Sequence, residues 1–376
     1  MQSLSGCLGH GVPERDEAFA KREAHTAPMH RDPTAGDARP PALDVSLERI
    51  REAGRFLVGR VERTPMLSST TGARVVRATA GVELADGRLY AKGEHLQRTG
   101  SYKVRGATFR IARLSAAEHA AGVIAISAGN HAAAVAVAAG LLGVHAVVVM
   151  PETAVRSKVD ACRGYGAEVI LEGQDTSEAW AAMERIRDER GLTFIHPFDH
   201  PDTITGQGTI GLEIVDDLPA VDVVVAGVGG GGMACGVAAA VKGLRPRARV
   251  YGVEPRTSNA LTLGMSAGTP VPIRPVSVAD GLNAPFASEA TIRLGRRLLD
   301  DVVLLDDTEI LAGLRFAAER MKQVLEPAGA AALAAVLHGR IPLRDGEQVC
   351  VVLSGGNVDV ARFGELITAA GSLPGA

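Results

Sequence analysis

From residue 115 almost to its C-terminal end, this chain repeats one pattern: a short β-branched run, then an Ala-rich stretch long enough for a helix. The runs are Gly122–Ile126, His145–Met150, Glu168–Leu171, Thr193–Ile195, Asp222–Ala226, Arg249–Val253, Val302–Leu305 and Gln348–Leu353. Strands separated by helices pair in parallel through right-handed crossovers, so the pattern predicts an α/β protein, a mostly parallel sheet with helices on both faces. A length of 376 residues suggests two domains, or one large domain with an insertion. Order is expected to begin near Asp44. Ser46 can cap a helix whose apolar face runs Ile50, Ala53, Leu57, Val61, and Thr64-Pro65 ends it. Residues 1–43 are expected to be a disordered tail, with Met29 as an alternative start of translation.

Several function classes are disfavoured by composition. Net charge is −3 and no long Lys/Arg block occurs, so the basic footprint of a nucleic-acid binder is absent. No apolar run approaches the length that crosses a bilayer, and the first 43 residues lack the apolar core of a signal peptide. Cys7, Cys162, Cys235 and Cys350 form no CxxC pair, which argues against a zinc site and against a disulfide scaffold. A reducing, cytoplasmic setting is expected.

In open α/β sheets ligands bind beyond the carboxyl ends of the strands. Those ends carry Ser127-Ala128-Gly129-Asn130-His131, Gly227-Val228-Gly229-Gly230-Gly231-Gly232, Glu254 and Ser354-Gly355-Gly356-Asn357. The glycine run precedes an Ala-rich helix, Met233–Leu244, which is the layout of a phosphate cradle. Gly227, Gly229 and Gly232 also satisfy GxGxxG, with Glu254 22 residues beyond, so this segment alone is divided between a dinucleotide and a single phosphate. Thr99-Gly100-Ser101-Tyr102-Lys103-Val104-Arg105-Gly106-Ala107 places Lys103 in the first turn of a helix, among small residues. A lone lysine there is ordinarily a solvated surface group. A nicotinamide enzyme has no use for it, whereas an aldehyde cofactor needs an amine to form an imine.

With the blocks Lys92-Gly93-Glu94 through Ala107, SAGNH at 127–131, GQGT at 206–209, GVGGGGM at 227–233, EPAGAAAL at 326–333 and LSGGNVD at 353–359, the chain resembles the fold-type II pyridoxal-phosphate enzymes, close to threonine/serine dehydratases and serine racemases. The resemblance spans roughly residues 45 to 370 and implies two doubly wound open parallel sheets. A large cofactor-binding domain would comprise 44–118 and 200–376, and a small domain 119–199. It implies that Lys103 holds pyridoxal 5′-phosphate as a Schiff base and acts as the base at Cα. Asn130 would bond the pyridine 3-oxygen. Gly229, Gly230, Gly231, Gly232 and Met233 would cradle the phosphate, and Ser354 would face the ring nitrogen. Ser127, Ala128, Gly129, Asn130 and His131 would grip the substrate carboxylate. Glu326 would lie near the ring without an assigned task. A serine opposite the ring nitrogen gives a weaker electron sink than a carboxylic acid would, favouring prompt β-elimination. The cofactor phosphate would assist hydroxide departure, an acid role worth ~10²–10⁴-fold. The activity implied is conversion of L-threonine or L-serine to a 2-oxo acid and ammonia by a homo-oligomer, dimer or tetramer, acting on a small amino acid.

Departures from the pattern refine this. Racemases place a serine where Ala128 stands, and a methyl group moves no proton. The cation-binding members carry a second acidic ligand six residues after Glu254, where this chain has Ala260, so no metal is expected. Seventeen residues follow Asp359, too few for the regulatory domain of the biosynthetic threonine dehydratases. The competing readings are a dehydratase of 3-hydroxyaspartate, a phenylserine or a hydroxyectoine-derived compound, a serine racemase, a non-catalytic cofactor-binding sensor, and a dinucleotide-dependent oxidoreductase.

Overall fold

The computed structural model describes residues 45–375, and the expected tail at 1–43 lies outside them. Among the described residues ten strands form two sheets. They are β1 (Met66–Ser69), β2 (Leu89–Lys92), β3 (Val123–Ile126), β4 (Ala146–Met150), β5 (Glu168–Leu171), β6 (Thr193–Phe194), β7 (Val223–Gly227), β8 (Arg249–Pro255), β9 (Asp301–Leu305) and β10 (Val349–Val352). The larger sheet runs β1-β2-β10-β7-β8-β9 and the smaller β5-β4-β3-β6. Every pairing is parallel except β1 with β2. Each of the eight runs read from the sequence overlaps one strand, β7, β8 and β9 extending one or two residues beyond it; β1 and β2 precede the alternating region and escaped that reading.

Both sheets are covered on two faces, and the period-2 geometry of a strand shows how. Val223 and Val225 of β7 enter one apolar cluster, with Val349 and Val351 of β10. Val224 and Ala226, with Cys350 and Val352, enter another on the opposite face. The smaller sheet divides likewise, Val123, Ala125 and Val148 on one side and Ile124, Val147 and Val149 on the other. Strands buried on both faces read as unbroken hydrophobic runs, which is why β3, β4, β7 and β10, buried throughout, were legible. The described residues all belong to one compact unit, the two sheets included.

Ser46 accepts a hydrogen bond from the Arg49 amide and starts the helix Leu47–Leu57 as expected. The helix ends at Leu57, with Val61 buried beyond it. The Lys103 helix, Lys103–Ala112, is held from two directions. Gly206 of helix Pro201–Asp217 lies so close that a Cβ there would sit 2.6 Å from the Arg105 carbonyl oxygen. Two residues on, Gly208 admits the next helix, Gly232–Leu244; its Cβ would be 2.8 Å from the Gly236 carbonyl. The GQGT block therefore clamps both helices that frame the site. Charges buried beside it are paired: Arg105 donates to Glu94 at 2.8 Å and to Glu213 at 2.7 Å, and Lys92 meets Glu213 at 2.6 Å. Removing one partner of such a set costs about 3–5 kcal/mol.

Candidate active site

A cavity of about 410 Å³ opens beyond the carboxyl ends of β3, β7 and β10. Its wall contains Lys103, the loop Ser127 to His131, the turn Gly229 to Met233, and Ser354. All twelve positions singled out from the sequence thus face one space. Lys158, Thr176, Phe198, Asp280 and Asn283 face it as well, and no expectation covered them.

The segment carrying Lys103 is hung on the end of β10. Tyr102 donates its amide to the Ser354 carbonyl at 3.1 Å, Gly356 donates to the Gly100 carbonyl at 2.9 Å, and Ser101 bridges Gly355. Lys103 Nζ reaches into the cavity and donates to the Pro197 carbonyl at 3.1 Å. An amine held by a single carbonyl at the edge of a cavity is free to react with an aldehyde there.

The turn after β7 excludes side chains. A Cβ at Gly230 would fall 2.3 Å from the Phe198 ring, and Gly231 has φ +90°, a conformation that favours glycine. What remains at this turn is backbone, followed by helix Gly232–Leu244, whose first N–H groups have no partner within the helix. A helix start presenting bare N–H groups binds an anion, and its dipole favours a phosphate. The cradle and the reactive amine facing one cavity fit an aldehyde that carries a phosphate.

After β3 the chain turns into helix Asn130–Leu142, again N-terminus first. Ser127 Oγ accepts from the Gly129 amide at 3.0 Å, which shapes the loop around the start of the helix. His131 is buried, and its Nε2 pairs with the Ile195 carbonyl at 2.6 Å. Burial, and then the charge of Lys103, push its pKa down to about 3, so the ring is neutral and donates to that carbonyl. The side chain of His131 is therefore committed to the residue that follows β6, and its backbone is what remains for a ligand.

Asn130 Nδ2 donates to Glu326 Oε1 at 2.6 Å, and Asn130 Oδ1 accepts from Asn357 Nδ2 at 2.8 Å. Glu326 caps no amide with its side chain; burial foremost, then the charge of Asp280, push its carboxyl up to about 8. Ser354 is buried, with Oγ 3.4 Å from the Ala328 carbonyl. Glu254, the carboxylate at the end of β8, is occupied elsewhere: it accepts from the Leu261 and Thr262 amides and from Thr262 Oγ1, capping helix Ala260–Ala267. Burial pushes its pKa up to about 7.

Comparison with known proteins agrees with this geometry. Residues 61–355 match the family described as pyridoxal-phosphate dependent enzymes. An L-threonine ammonia-lyase of Thermotoga maritima is 41% identical over 324 residues, 86% of this chain and 78% of that protein. A catabolic L-threonine dehydratase of Escherichia coli is 37% identical over 326 residues, 86% of this chain and 96% of the relative. Among solved structures, a maize serine racemase superposes with a TM-score of 0.78 at 34% identity, covering 86% of this chain and 97% of the other. The two-sheet α/β fold implied by the resemblance is the one observed. The chain belongs to the family of pyridoxal-phosphate-dependent enzymes.

Proposed function

We propose that this protein eliminates water from L-threonine and L-serine, releasing ammonia with 2-oxobutanoate or pyruvate. Water leaves from Cα and Cβ to give an enamine, which takes up one water and loses ammonia. Bound pyridoxal phosphate supplies the electron sink that makes the Cα proton removable. Lys103 Nζ is the covalent anchor and, once displaced, the base that takes that proton. The Gly229–Met233 backbone binds the phosphate, Asn130 directs its amide at the ring 3-oxygen, and Ser354 offers a neutral hydroxyl to the ring nitrogen. The start of helix Asn130–Leu142, with Ser127, Ala128, Gly129 and the His131 backbone, receives the substrate carboxylate.

The observation that carries elimination over racemisation is Ala128. It lines the cavity with a methyl group where a second acid/base would have to stand. The names of the two sequence relatives point the same way, one an L-threonine ammonia-lyase and the other an L-threonine dehydratase. Among the described residues no helix is long and apolar enough to cross a membrane, and the free thiols of Cys162, Cys235 and Cys350 are all buried. We place the enzyme in the cytoplasm as a homo-oligomer, to be checked by fractionation and light scattering. A 2-oxo-acid assay over a panel of β-hydroxy amino acids tests the substrate class. Threonine and serine are expected to be turned over fastest; a tenfold or larger preference for 3-hydroxyaspartate or phenylserine, about 1.4 kcal/mol in the barrier, would reassign it.

A further inference from the structure

We propose that Asn357 is a positioning residue that decides which end of the Asn130 amide is presented to the cofactor ring. The proposal rests on the reading above that Asn130 faces the ring.

The Thr99 carbonyl can only accept, and it lies 2.6 Å from one end of the Asn357 amide, which is therefore the NH₂ end. The second proton of that same Nδ2 points at Asn130, 2.8 Å away. Asn130 must meet a donor with an acceptor, so its Oδ1 faces Asn357. Its Nδ2 then faces Glu326 Oε1 at 2.6 Å, and the amide keeps one further N–H. With its oxygen turned toward Asn357, the amide presents the cofactor with the remaining N–H donor. That is what an oxygen on the ring requires. A backbone carbonyl thus orients two amides in series, and both Asn130 and Asn357 line the cavity.

Two glycines leave room for the chain of bonds. A Cβ at Gly100 would lie 2.2 Å from Asn357 Oδ1, and one at Gly355 would lie 2.3 Å from Glu326 Oε1. Gly100 also has φ +71°, so both its conformation and its bareness serve this arrangement. Gly355 and Asn357 follow Ser354 directly on the loop that anchors the Lys103 segment, so the residue that orients Asn130 and the residue that meets the ring share one piece of backbone.

Replacing Asn357 by Asp keeps the shape and removes the donor. Two acceptors would then face Asn130 Oδ1 and the Thr99 carbonyl, and the Asn130 amide is expected to turn over, aiming its oxygen at the ring. The readouts are the position of the visible cofactor band, cofactor content, and kcat separately from KM, in Asn357→Asp, Asn130→Ala and the double variant. Expected for Asn357→Asp are full cofactor content, a displaced band, and a kcat lowered roughly ten- to a hundredfold, the scale for small misplacements at a reacting centre. In the Asn130→Ala background the same change should do nothing further, because coupled residues are non-additive. If Asn357→Asp does not fold, Asn357→Ala serves, with a smaller displacement of the band expected. A band and kcat equal to wild type in the folded variant would overturn the proposal, as would an equal loss in both backgrounds. A separate failure is visible too: if Asn130→Ala alone leaves the band unmoved, the placement of Asn130 against the ring is what falls.

Discussion

In the proposed reaction Ala128 carries the distinction between elimination and racemisation. A proton returned from the face opposite Lys103 would give the D-amino acid, and a methyl group returns none. Ala128→Ser adds a hydroxyl on the loop that receives the substrate carboxylate. D-serine should then appear beside pyruvate, in small yield, because a placement error near 1 Å costs about a hundredfold. Chiral chromatography of L-serine reactions reads the partition; a wild type that already racemises serine efficiently would remove Ala128 from its role. At this scale much was legible in the sequence, because ligands gather at strand ends and strand ends show as glycine and small polar residues following a β-branched run. What stayed hidden depends on distant partners. Nothing near His131 in sequence foretells the Ile195 carbonyl that takes its ring. Nothing near Glu254 shows which amides its two oxygens would take, those of Leu261 and Thr262. Lys158 and Asp280 reach the cavity from segments without such a signature.

Among the elements, the turn between β7 and helix Gly232–Leu244 has no room for a side chain at Gly230. Phe198 occupies the space any side chain at Gly230 would need. Gly230→Asp adds a carboxylate beside the phosphate, and like charges in a dry site repel strongly. Cofactor occupancy measured by absorbance should fall at least about tenfold, equivalent to about 1.4 kcal/mol; full occupancy would mean the phosphate lies elsewhere. The strands around this turn were readable because both their faces are apolar. By contrast β1 and β2 are four residues each and include polar positions. Lys92 in β2 is wholly buried, and what permits this is Glu213, on a helix more than a hundred residues later. A short strand with a buried lysine carries no local mark of being one.

On the scale of the whole molecule, the smaller sheet is drawn entirely from residues 123–194, and it carries the Ser127–His131 loop toward a cavity whose phosphate cradle belongs to the larger sheet. We propose that residues 119–199 move as a small domain against 44–118 and 200–376, closing on substrate and excluding water from the reacting centre. Crystals of the free and substrate-analogue-bound enzyme should differ in the relative orientation of the two parts; identical orientations would refute closure. The claim beneath all of these is that Lys103 carries the cofactor. Reducing the purified enzyme with borohydride and mapping the labelled peptide by mass spectrometry tests it directly. The label is expected on Lys103, with Lys103→Ala folded but unlabelled and inactive; a label centred on any other lysine would contradict the assignment of this cavity as the active site.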